Sequence, residues 1–313
     1  MNESFSAAAR VVIPMMLLMF LGVLVRTKGC IDRPAMKQYD RLIFIMFMPV
    51  LMFKNIYEMD FSQGFAVKEM AFAGIGLLLN FVFCLTFPKL LTKDGNKSSV
   101  IGQAVVRGNY ILFGVAVSEA MYGEGNLGAV IMLGVLVIPL INILSAVILE
   151  LNRSGHAKFG KLCLAILKNP MIIGAIIAFV FKFFEIPIYG PVWSVIRSIA
   201  NSTTTISFIS LGVGLDMMKA KADKRLVLWG AFLRMIAVPM VFMPLAVLAG
   251  FREQSLCAMM IVFAAPSAVA SYPMAVAMGA DGQLAGQLVC VTTVISVLTI
   301  FLWTFGLHSL GLM

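Results

Sequence analysis

The sequence predicts an all-α polytopic membrane protein with ten transmembrane helices in a five-plus-five inverted repeat, two of the helices being broken and crossing. Three observations predict it. Of 313 residues, 61% are apolar and 12% charged, with a mean hydropathy of +0.98; soluble domains carry about a quarter charged residues. Apolar runs of membrane-crossing length alternate with short loops, and every second loop is basic. Two of the runs, half a chain apart, are interrupted at matching places by small and helix-breaking residues.

The first run, 7–25, is followed by polar sequence without a small-residue cleavage site, so it reads as a retained span. The second, 42–57, is kinked by Pro49 and carries Lys54 near its outer end, where the side chain snorkels to the interface. The third and fifth are 69–87 and 127–149. Between them the fourth, 100–121, breaks at Arg107-Gly108-Asn109-Tyr110 and again at Gly114. A linker, 150–169, leads to a short sixth run, 170–184. The seventh, 191–215, holds Asn201-Ser202-Thr203-Thr204-Thr205, Ser207 and Ser210. Its threonines can join helices or line a cavity; Asn201 is the better cavity candidate, because a buried amide needs several partners. The eighth, 226–248, carries Arg234 ahead of Pro239. The ninth, 254–279, breaks at Ala264-Ala265-Pro266-Ser267 and at Ser271-Tyr272-Pro273, and 283–306 completes the set.

Sixteen of the 24 lysines and arginines fall in the loops after runs one, three, five and seven. The positive-inside rule places those loops in the cytoplasm and both termini outside. Five spans per half then invert the second half, 170–313, relative to the first, 1–149. A shift of 157 positions lays Ala120-Met121 on Ala277-Met278 and Glu124-Gly125-Asn126-Leu127 on Asp281-Gly282-Gln283-Leu284. Kinked helices packed through small residues are the plainer reading of either break alone. Their coincidence at half-chain spacing favours a paired binding site at the midplane.

An unwound stretch survives in a membrane only where protein or a watery cavity covers it. Gly108 and Gly114 allow close approach, and Pro266 and Pro273 lack the N–H that a helix needs. The half-helix N-termini suit an anion such as a carboxylate. Asn109 adds amide donors, and Ser267, Ser271, Tyr110 and Tyr272 add hydroxyls. Arg107, Arg197, Arg234 and Glu119 are costly at membrane depth, about 2.5–3.5 kcal/mol each on insertion scales. Arg234 must meet carbonyls, an acid or a cavity. Arg107 either draws anions toward the first break or lies near the cytoplasmic headgroups.

Neither break contains an aspartate or glutamate, which disfavours cation antiport. Five scattered cysteines and two isolated histidines offer no metal or disulfide spacing, so no cofactor is expected. No nucleophile–base pair lies in the spans, so no enzyme is expected. The net charge of +9 resides in membrane-flanking loops, which argues against nucleic acid as partner.

Several of these motifs resemble those of one family. Arg107-Gly108-Asn109 with Gly114 and Met121-Tyr122-Gly123, and Asp40-Arg41 followed by Pro49-Val50-Leu51-Met52-Phe53, are similar to the fourth and second spans of the auxin efflux carrier family of membrane transport proteins. So are Asn169-Pro170, Ser210-Leu211-Gly212, Arg234 with Pro239, and Ala265-Pro266-Ser267 in their order along the chain. The resemblance implies the inverted-repeat fold of NhaA-like antiporters and bile-acid symporters. In that fold a scaffold of spans one, two, six and seven holds a transport domain of spans 3–5 and 8–10. It also implies elevator-type carriage of small organic anions, often by a homodimer, with the asparagine at position 109 binding the substrate carboxylate. Plant members carry auxin; compact bacterial-type members are associated with malate, malonate and other carboxylates. Ser267 stands where the plant pattern has glutamine, and the linker is short, which argues against auxin as substrate and against regulation by loop phosphorylation. The expected function is carboxylate efflux across the plasma membrane, with Gly108, Asn109, Tyr110, Asn201, Pro266, Ser267, Ser271 and Tyr272 at the site. A sodium- or proton-coupled symporter of a small organic solute on the same fold is the alternative.

Overall fold

Every expected apolar run corresponds to a helix, or to a helix broken once, in the computed structural model. The structure describes residues 2–31, 33–58, 67–123, 126–153, 167–214 and 223–313; most of the 150–169 linker, with Glu124 and Gly125, lies outside them. In chain order the helices are α1 (Asn2–Thr27), α2 (Arg33–Leu42), α3 (Met48–Tyr57), α4 (Val67–Leu91), α5 (Gly95–Val106), α6 (Tyr110–Tyr122) and α7 (Gly128–Arg153). They continue as α8 (Pro170–Phe183), α9 (Gly190–Gly214), α10 (Lys224–Phe232), α11 (Val238–Leu248), α12 (Glu253–Ala264), α13 (Ser271–Ala277) and α14 (Gly282–Ser309). Among the described residues the only β feature is one isolated bridge. Among the described residues, four stretches are long and apolar enough to cross a membrane by length and composition: Val67–Leu91, Gly128–Leu151, Lys224–Leu248 and Gly282–Ser309.

Two rods pass through a π-helical turn. Ile43–Phe47 joins α2 to α3, and Leu233–Ala237 joins α10 to α11. Each ends just before a proline, Pro49 or Pro239. A proline ring clashes with the carbonyl one turn back, and a locally widened turn relieves that clash without breaking the rod. The second π-turn contains Arg234.

Helix ends carry their own signals. Asp94 caps α5 by accepting from the N–H groups of Asn96 and Lys97, Asn169 caps α8 through Met171, and Asp281 caps α14 through Leu284. Lys97 also reaches Asp223 at 2.6 Å, tying the start of α5 to the start of α10. That hydrogen bond raises the ammonium above its ordinary value. At the turn before α14, Gly279 adopts φ +76.

The α1–α9 and α3–α8 pairs make the most extensive helix packing. Gly22 and Gly212 face one another across the first seam, so closely that a Cβ on either would overlap a backbone carbonyl of the other helix. Gly174 lies against the Pro49 backbone across the second, where a Cβ would sit 2.7 Å from its carbonyl oxygen. Small residues that let backbones meet are the usual adhesive between membrane helices.

One boundary differs from the sequence reading. The rod containing α3 begins at Arg33, nine residues before the expected 42–57 run, because α2 continues it as a charged, amphipathic helix. Hydropathy stops at Leu42; the helix does not. As a result Asp40, which the sequence places in a basic loop, is buried at 1% exposure.

Candidate functional site

The two breaks meet. Residues 107–109, between α5 and α6, run antiparallel to residues 266–268, between α12 and α13, with Gly108 bridged to Ser267. The Asn109 N–H donates to the Pro266 carbonyl at 2.8 Å, and the Ala268 N–H to the Arg107 carbonyl at 2.9 Å. Each unwound segment therefore supplies the hydrogen bonds that the other has lost, which allows extended backbone within the helix bundle. Ser267 is pinned further: its hydroxyl donates to the Ala104 carbonyl at 2.9 Å, and its N–H donates to the Thr292 hydroxyl at 3.2 Å.

Two guanidinium groups hold the crossing. Arg234 has no exposed surface and donates to the carbonyls of Val105 at 2.8 Å, Ala265 at 2.7 Å and Val262 at 3.2 Å. Val105 lies at the end of α5, and Val262 and Ala265 at the end of α12. One side chain thus satisfies orphan carbonyls at the C-termini of both broken helices, where the helix dipoles favour a cation. Gly108 is required for this, because a Cβ there would overlap Nη2 of Arg234. Arg107, 3% exposed, donates from Nη2 to Oδ1 of Asn142 at 2.5 Å and from Nη1 to the Ala270 carbonyl at 3.2 Å. It is held within the helix bundle rather than loose in a cavity. No described carboxylate pairs with either guanidinium.

This architecture has counterparts among known proteins. A family model described as membrane transport protein matches residues 8–159 and 156–304, nearly the whole chain. The chain belongs to the auxin efflux carrier family of membrane transport proteins. No curated protein matches it. Among solved structures, the sodium proton antiporter MjNhaP1 from Methanocaldococcus jannaschii is similar in fold, with a TM-score of 0.61 at 13% identity over 96% of each chain. Membership of the family makes this chain a transporter, and its apolar helices make it a multi-pass membrane protein.

The residues singled out in this family member from sequence are placed unequally. Gly108, Asn109, Pro266 and Ser267 lie at the crossing itself. The Asn109 side chain is half-buried and forms no hydrogen bond where α6 begins. The first helical bond there runs from the Phe113 N–H to the Asn109 carbonyl, so the N–H groups of Tyr110, Ile111 and Leu112 lack helical acceptors. Ser271 is 2% exposed, and its hydroxyl has no partner in the protein. By contrast, the Tyr110 hydroxyl donates to the Val130 carbonyl of α7 at 2.9 Å, and Ser267 is engaged as described. The Tyr272 hydroxyl faces Asp40. Asn201 lies exposed at mid-length of α9 without a hydrogen bond. Asn142 and Thr292 were not singled out from sequence, and Asp40 only as part of the second-span motif, since each does its work through a helix remote in the chain.

Proposed function

We propose that this transporter carries a small organic carboxylate anion, bound at the crossing by the Asn109 amide and the unpaired N–H groups at the start of α6. The observation that carries this reading is the electrostatic balance of the crossing. Two buried guanidinium groups meet carbonyl and amide oxygens, and no described acid is paired with them. Their fixed positive charge attracts an anion and repels a cation, and low surrounding polarity strengthens both effects. A helix N-terminus with free donors is suited to a carboxylate. The unpartnered Ser271 hydroxyl supplies a further donor on the opposite break.

The reading extends to the whole chain: ten spans, two inverted halves of 1–149 and 170–313, and both termini outside the plasma membrane. The glycine-lined seams of α1 with α9 and α3 with α8 support a scaffold of spans one, two, six and seven. The remaining spans, cross-linked by Arg234 and Arg107, then move as an elevator past it, in a protein that pairs as a homodimer. An inside-negative potential favours exit of one negative charge by about 2.3 kcal/mol per 100 mV, so export needs no coupling ion. The alternative, a cation-coupled symporter, places its ion site elsewhere than the two breaks.

A thermal-shift screen of purified protein against mono- and dicarboxylates tests the substrate class. A ligand at 100 times its Kd stabilises by about 2.7 kcal/mol. Malonate, malate or a related anion is expected to raise the melting temperature, and uncharged amide analogues are expected to leave it unmoved. Stabilisation by sodium alone, with no response to any carboxylate, contradicts the reading.

A further inference from the structure

We propose that Asp40 is a proton-binding site whose occupancy sets the position of the second broken helix. Asp40 belongs to α2, is 1% exposed, and is enclosed by two other helices. The Ser210 hydroxyl of α9 donates to its Oδ1, and the Tyr272 hydroxyl of α13 completes the enclosure. Gly214 keeps that enclosure tight, because a Cβ at its position would overlap the Tyr272 hydroxyl. Tyr272 is the second residue of α13, immediately after the break that crosses α5–α6. Asp40 therefore joins a helix that touches the crossing to two helices that do not contain it.

The groups around it decide its charge. From α13 the ionisable neighbour is Tyr272, and from the π-turn Ile43–Phe47 there is none. The ionisable side chain of α9 is Arg197, thirteen residues from Ser210 and bonded to Glu58 at 3.0 Å. On α2 itself Tyr39 and Arg41 are exposed, and Arg33 and Lys37 stand earlier in the sequence. Among the described residues no cation pairs with Asp40. An ionised carboxylate accepts about four hydrogen bonds and is strongly disfavoured when it is buried without a cation. Burial behind two hydroxyl donors, with no cation among the described side chains, therefore favours the carboxylic acid in the closed arrangement. When α13 moves away, Tyr272 leaves with it, water reaches Asp40, and the proton is released from Oδ to solvent. A proton bound in one conformation and lost in the other makes pH bias the equilibrium between them. Low pH favours the closed arrangement and high pH the open one. The movement between conformations rests on the transporter reading; the proton site itself does not.

Infrared spectra of the full-length purified protein across a pH titration test the site without any substrate. The wild type is expected to show the carbonyl stretch of a protonated carboxyl that titrates with pH, and Asp40→Asn is expected to lose it. An identical titration in Asp40→Asn overturns the proposal. Ser210→Ala and Tyr272→Phe each remove a donor that steadies the charged form, so each should move the titration midpoint to higher pH. Unmoved midpoints in both variants also overturn it, which keeps the test decisive should Asp40→Asn not fold. Malonate efflux from proteoliposomes supplies a separate reading: loss of its pH dependence in Asp40→Asn supports the coupling. Absence of any carboxylate flux refutes the transport reading and leaves the infrared result standing.

Discussion

Arg234 shows how one side chain can make a broken pair of helices stable. Its three donors reach carbonyls on two different half-helices, so removing it strands several buried acceptors at once. A buried polar group without a partner costs about 1–3 kcal/mol. Arg234→Met is therefore expected to lower unfolding stability by at least about 2 kcal/mol. Arg234→Lys should recover part of this, because one ammonium cannot span the fork. Gly108→Ala should be destabilising by about 1–3 kcal/mol by displacing the same guanidinium. Gly128→Ala, at a site with open space, is the control and should change little. Denaturation in detergent measures all four. Sequence alone identified Gly108, because a glycine beside an asparagine inside an apolar run is itself a break signal. It flagged Arg234 as needing carbonyls, an acid or a cavity, but could not choose among them, since the carbonyls belong to residues 28 to 129 positions away.

Among the elements, the broken helices were the most legible, because proline and glycine mark them locally in the chain. Only one of the two breaks expected in each run forms, since Gly114 lies inside α6 and Ser271-Tyr272-Pro273 open α13. Their pairing was inferred from spacing, and the structure places the two breaks in direct backbone contact. The π-turns left no such mark; Pro49 and Pro239 predict a kink but not the form it takes. The start of α2 was misplaced for a physical reason: a helix with one charged face lowers mean hydropathy, although its other face is buried around Asp40. Helix seams were equally hidden, because Gly22, Gly174 and Gly212 look in sequence like any membrane-helix glycine. Their contacts give a prediction at this scale. Gly212→Leu should wedge α1 from α9 and destabilise the protein by about 1–3 kcal/mol or more. Gly190→Leu, at the open end of the same helix, should be close to neutral. Thermal melting in detergent distinguishes them. Equal losses at both sites would mean that leucine disturbs α9 for reasons other than this seam.

For the whole molecule, the family establishes a transporter, and the crossing supports the proposed anion chemistry. The similarity to a sodium proton antiporter is one of architecture at 13% identity. The crossing of this chain holds two caged guanidinium groups, a free amide on Asn109 and an unpartnered Ser271 hydroxyl. A hydrogen bond to a charged group contributes about 1.5–3 kcal/mol, so loss of the Asn109 amide should weaken transport roughly tenfold or more. The direct measurement is malonate efflux from proteoliposomes under an imposed inside-negative potential, comparing wild type with Asn109→Ala. The account predicts efflux that the potential accelerates in wild type and that falls at least about tenfold in the variant. Efflux of equal rate in the two proteins would contradict it.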